Sequence, residues 1–204
     1  MHEVLRILDR SYPEAECSLT FQTPFQLLVA TILSAQCTDE RVNQVTPALF
    51  ALYPGPFEMA QAPLKEIENL IKTTGFYRNK ALAISEASRT IVEKHQGEVP
   101  QDLELLIQLR GVGRKTANVV LGVAYGIPGL VVDTHVGRLV RRLGFTEETD
   151  PVKVEHEMME LVPRERWTEF AHLMISHGRA VCTARKAHCV ECSLQRLCPK
   201  IGVA

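Results

Sequence analysis

A chain of 204 residues with 46% hydrophobic and 23% charged residues has enough apolar material for a real core, which excludes a disordered or low-complexity protein. No run of about 18 apolar residues occurs, and the first ten residues carry acidic side chains within their apolar pattern. Neither a membrane span nor a secretory leader is therefore expected, and the protein is expected to work in the cytoplasm. The net charge of −1 argues against a uniformly basic nucleic-acid binder.

Apolar residues recur at three- and four-residue steps almost throughout, and no stretch alternates as a strand would, so the fold class is all-α. Thr23 and Pro24 supply an N-cap and first-turn proline for an apolar helix reaching Leu33, and Thr38 opens the next. Pro63 starts a third helix, with Gly75 placed to end it. An amphipathic helix follows over 77–95, stopping before Gly97, and another over 101–109. Gly111-Val112-Gly113 then breaks the pattern before a helix over 114–125. The stretch 126–129 reads as a linker. Asp133 caps a helix ending near Leu143-Gly144, Asp150-Pro151 starts another through Leu161, and a last one runs over 164–178.

Charge is segregated along this chain. Arg110, Arg114, Lys115, Arg138, Arg141 and Arg142 face only Asp133 within 110–142, and Arg179, Arg185, Lys186, Arg196 and Lys200 face only Glu191 within 179–200. The rest of the molecule is acidic, the pattern of a polyanion-binding face with a solvating back. Two helices joined by Gly111-Val112-Gly113 make a tight hairpin whose amides, with the N-terminus of the following helix, suit a phosphate. Arg110 and Arg114 flank it. Lys115 lies in that helix's first turn, where the dipole disfavours an added positive charge and favours the neutral, nucleophilic amine.

Cysteine use is uneven. Cys17 and Cys37 stand alone and are expected to be buried small hydrophobes. Cys182, Cys189, Cys192 and Cys198, separated by six, two and five residues, crowd toward the end of the chain as a metal-binding set would. Four thiolates suit zinc or an iron–sulfur cluster, although paired knuckles with a longer intervening loop are the usual zinc arrangement.

The run from Leu109 through Val120, with Val132-Asp133-Thr134-His135, Ser34-Ala35-Gln36 and the four-cysteine loop, resembles the endonuclease III family over nearly the whole chain. That resemblance implies a bifunctional DNA glycosylase and abasic-site lyase acting on double-stranded DNA with oxidised pyrimidines or abasic sites, at the nucleoid in a bacterium. It implies Lys115 as the Schiff-base nucleophile, Asp133 as its carboxylate partner, and a structural [4Fe–4S] cluster on Cys182, Cys189, Cys192 and Cys198. DNA contacts are implied for Gln36, Phe76, Arg110, Gly111, Gly113, Arg114, His135, Arg185 and Lys186. Gln36 and Phe76 match positions that contact or wedge the opened duplex, a flipped nucleotide being the only way to expose C1′.

Two residues depart from the family pattern. Phe76 replaces a leucine found in close bacterial relatives, and Arg110 a common proline, which is expected to give tighter but more salt-sensitive DNA binding. The implied architecture is two helical lobes, 17–127 bearing the hairpin and 1–16 with 128–204 bearing the cluster, in a monomer. A monofunctional mismatch glycosylase would lack Lys115. A non-catalytic iron–sulfur DNA-binding protein would not need Lys115 and Asp133 together.

Overall fold

The computed structural model describes residues 1–203, and all regular structure among them is helical. In chain order the helices are α1 (His2–Ser11), α2 (Pro24–Leu33), α3 (Asp39–Leu52), α4 (Pro56–Gln61), α5 (Leu64–Leu70), α6 (Tyr77–His95), α7 (Leu103–Leu106), α8 (Arg114–Tyr125), α9 (Thr134–Arg142), α10 (Pro151–Leu161) and α11 (Trp167–Ala180). Short 3-10 turns at Lys72–Thr74 and Arg164–Arg166 precede α6 and α11. They group into two compact units: Ser18–Ile127, and Met1–Cys17 with the chain from Pro128 onward.

The first unit is built on α2, which is buried from Phe25 through Leu33 and so must be surrounded by other helices. Thr23 starts it, its hydroxyl accepting from the Gln26 amide at 3.2 Å, and Pro24 occupies the first turn. Each fully buried leucine or isoleucine here contributes about 1.5–3 kcal/mol relative to exposure, so this helix fixes the positions of α6 and α8 packed on it. α4 and α5 lie against α6.

In the second unit α11 takes the central place. It buries Phe170, Ala171, Leu173, Met174 and His177 and receives α9 on one side and α1, through Val4, Leu5 and Leu8, on another.

Three expected elements differ from the observed ones, and one observed element was not expected. The helix anticipated over 101–109 is a single turn, α7, because Leu106 and Leu109 drop into the core and the chain then reverses at Gly111, φ +78°. The helix from Pro63 breaks after Leu70 into a 3-10 turn before Gly75, φ +70°. α4 was not expected, since Pro54-Gly55-Pro56 reads as loop; Pro56 is in fact its first-turn proline. The last helix passes through Gly178 to Ala180, because this glycine makes room for α9 instead of ending the helix. A Cβ on it would lie 2.9 Å from His135 Nδ1. Cys17 and Cys37 are half-buried, not core residues.

Candidate active site

The glycine hairpin divides its work between its two glycines. Gly111 holds a left-handed φ of +78° and approaches α6 so closely that a Cβ would sit 2.7 Å from the Ala83 Cβ. Gly113 has φ −94°, within reach of any residue, and nothing lies within 4 Å of its Cβ position. It is the N-cap of α8 and provides no side-chain cap, so the helix opens with amides directed outward beneath bare surface. Arg114 and Lys115 are the first two residues of α8, Lys115 exposed and Arg114 half-buried. Arg110 is also exposed, but its Nη1 donates to Glu86 Oε2 at 2.7 Å.

Two loops of the same unit carry Gln36 and Phe76. Both are non-glycine residues in the left-handed region, at φ +52° and +46°, a conformation costing on the order of 1–3 kcal/mol each and concentrated at functional sites. Gln36 is exposed in the turn after α2, and Phe76 is 64% exposed at the start of α6, so it is no core aromatic. Between these loops lies Lys80, 5% exposed, whose ammonium donates to Leu33 O at 2.8 Å and Thr74 O at 2.7 Å. Burial lowers its pKa, and the nearby Cys37 opposes that shift.

In the second unit Asp133 caps α9 as expected, Oδ1 accepting from the His135 and Val136 amides at 2.8 Å each. His135 lies half-buried beside it. Burial is the main cause holding the imidazole below its ordinary pKa, helped by Arg138 and Arg179 and opposed by Asp133. Arg138 Nη2 lies 3.1 Å from His135 Nδ1. Arg138 also donates to Thr134 O, Gly178 O and Cys182 O, tying the first turn of α9 to the end of α11 and the start of the cysteine loop.

Cys182, Cys189, Cys192 and Cys198 line a common pocket with Leu139, Arg142 and His177. Arg142 Nη1 donates to Cys182 Sγ at 3.2 Å, and His177 Nε2 lies 3.4 Å from Cys192 Sγ while its Nδ1 meets the Tyr12 hydroxyl at 3.0 Å. Burial is the first cause pushing the Cys192 and Cys198 thiols up. Between the first two cysteines an antiparallel bridge pairs Cys182 with Ala187, and Thr183 bonds both backbone groups of Lys186. The result is a closed loop with Arg185, Lys186 and His188 exposed.

A family model described as HhH-GPD superfamily base excision DNA repair protein matches residues 29–164, more than half of the chain. The chain belongs to the HhH-GPD superfamily. Among its relatives is the endonuclease III of Synechocystis sp., 59% identical over 198 residues that cover 97% of this chain and 90% of that one. Its fold superimposes on the solved structure of a non-covalent endonuclease III–DNA complex with a TM-score of 0.93 at 43% identity, covering 98% and 94% of the two chains. A trapped covalent intermediate of endonuclease III with DNA gives 0.92 at 43% identity, covering 98% and 95%.

Sequence reasoning passed over Lys80 and His177 of this HhH-GPD protein, and saw Arg138 only as one charge of a basic cluster. Lys80 was the most legible, since it stands in the apolar stripe of α6 with Ile84, Ser88 and Ile91 at helical spacing. His177 and the long-range bonds of Arg138 gave no such signal, because those partners lie 15 and 40 residues away.

Proposed function

We propose that this chain is a bifunctional DNA glycosylase and abasic-site lyase of base excision repair, acting as a monomer on duplex DNA that carries oxidised pyrimidines or abasic sites. The observation that carries it is an exposed lysine, Lys115, at the start of a helix opened by a bare glycine hairpin, in a fold matching a covalently trapped endonuclease III–DNA intermediate. The hairpin amides of Gly111 and Gly113, with Arg114, grip phosphate without reading bases. Gln36 and Phe76 fill the gap left by the flipped nucleotide, the ring of Phe76 stacking on a base. Arg185 and Lys186 on the cysteine loop, and His135, add phosphate contacts.

The chemistry requires two side chains, for which we propose Lys115 and Asp133. The Lys115 amine donates its lone pair to C1′, the C1′–N bond to the base breaks, and the base departs with that electron pair and takes up a proton. Asp133, held by two backbone amides, stabilises the positive charge at C1′ and accepts the proton from the amine. The sugar ring opens to a Schiff base with Lys115. Loss of a C2′ proton then breaks the C3′–O bond, and the 3′ phosphate leaves. Water releases the lysine.

The four cysteines are assigned to a [4Fe–4S] cluster, whose contribution when bound is to fix the loop rather than to act on the base. A single zinc would draw all four sulfurs to about 2.3 Å from one point. All four cysteines line the same pocket, and one C-x-x-C flanked by single cysteines is not the paired-knuckle arrangement usual for zinc. Four thiolates, one per iron, suit such a cluster.

The test is borohydride trapping on duplex DNA containing thymine glycol or an abasic site. A covalent adduct with the native protein and none with Lys115→Gln is the expected result. Strand cleavage retained in Lys115→Gln overturns the assignment.

A further inference from the structure

The turn carrying Gln36 and the turn carrying Phe76 come from different helices, and each holds its residue in a left-handed backbone conformation with the side chain exposed. Side chains that must enter a duplex together need a fixed separation. α6 provides no side-chain cap at Phe76, so the helix start alone does not fix that turn.

The feature common to both turns is Lys80. Its ammonium takes Leu33 O, one of the last carbonyls of α2, three residues before Gln36, at 2.8 Å. The same group takes Thr74 O, two residues before Phe76, at 2.7 Å. A buried cation is costly, and an apolar side chain would fill this position in the stripe of α6 more cheaply. The charge is well placed, however, for the negative end of the α2 dipole, and it reaches both turns at once. Thr74 is itself buried and closed onto Ile71 O through its hydroxyl at 2.8 Å, so the clamp acts on a fixed anchor and not on a loose loop.

We propose that Lys80 is a positioning residue for duplex opening: its ammonium clamps the end of α2 to the turn before α6 and so sets the spacing of Gln36 and Phe76. The proposal rests on the gap-filling role of those two residues. It assigns no contact between Lys80 and DNA.

A single-stranded abasic site has no opposing base and no gap to fill, so its trapping does not require the clamp. The full chain and its Lys80→Met and Lys80→Arg variants are compared on two substrates: single-turnover excision of thymine glycol from a duplex, and borohydride trapping on a single-stranded abasic oligonucleotide. In Lys80→Met the duplex rate is expected to fall about tenfold or more while single-strand trapping stays within about twofold, since misplaced groups lose rate steeply. Lys80→Arg, which keeps a cationic donor, recovers most of the duplex rate. A 2-aminopurine base opposite the lesion reports the opening, and its fluorescence rise is lost in Lys80→Met. Equal loss on both substrates means a general structural role and overturns the proposal, as does an unchanged duplex rate. Should Lys80→Met not fold, Lys80→Gln, too short to span both carbonyls, takes its place with the same outcomes. Gln36→Ala and Phe76→Ala run alongside. If both leave duplex excision unchanged, the gap-filling role fails; if they lose it and Lys80→Met does not, the clamp alone fails.

Discussion

Arg110 is a cation that already has a partner within its own protein. Its guanidinium lies 2.7 Å from the Glu86 carboxylate, and both side chains are solvent-accessible. An exposed pair of this kind contributes only about 0–1 kcal/mol to the fold, so its consequence lies in DNA binding. On the proposed DNA-binding role of the hairpin, Glu86 would hold one charge back from the phosphates and temper the tight, salt-sensitive binding expected from arginine at this position. Glu86→Gln is expected to leave stability within about 1 kcal/mol while tightening DNA binding and steepening its dependence on salt by up to about one unit of slope. Titrations of duplex DNA across a range of salt concentrations measure it, and an unaltered slope would mean that Arg110 stays off the backbone. The sequence announced Arg110 through its neighbours in the hairpin. It was silent about Glu86, because a pairing across 24 residues depends on how α6 meets the hairpin.

Elements were legible wherever their ends carry chemistry of their own. Thr23, Thr38, Asp133 and Asp150 each cap a helix through the side chain, as their types suggested. Glycines were less readable, since one residue type serves three purposes: Gly75 turns the chain, Gly178 makes room for α9, and in the hairpin Gly111 does both while Gly113 leaves open space before α8. The hairpin is the place to separate them. Gly111→Ala places a Cβ 2.7 Å from that of Ala83 and forces alanine to φ +78°, for an expected loss of about 2–4 kcal/mol in urea unfolding. Gly113→Ala meets open space at an ordinary φ, so stability is expected to stay within about 1 kcal/mol. Its methyl covers the outward amides of α8, and DNA affinity is what falls. Should Gly113→Ala instead unfold the protein and leave the affinity of the remaining folded fraction intact, the division of roles is wrong.

The whole molecule shows its composition most directly in how its stability responds to acid. Apolar periodicity was enough to give an all-α fold, but nothing in the sequence marked which of its seven histidines would be buried, since that is decided by which face of α11 turns inward. His172 lies on that helix, and burial lowers its pKa below the ordinary 6.5 with the Glu16 carboxylate opposing. The folded state therefore takes up this proton less readily than the unfolded chain does. Stability from this source is complete above pH 6.5 and declines as the pH falls below it through the lower folded value. His177, deeper in the same helix, is shifted the same way by burial, so removing one histidine removes only part of the slope. Melting temperatures of the native chain and His172→Gln, measured from pH 7.5 down to about 5.5, should fall for both but less for the variant, because fewer protons distinguish its two states. A variant whose melting temperature falls as steeply as the native chain's would place His172 in free exchange with solvent, and the acid sensitivity would then belong to His177 and His135, which burial shifts the same way.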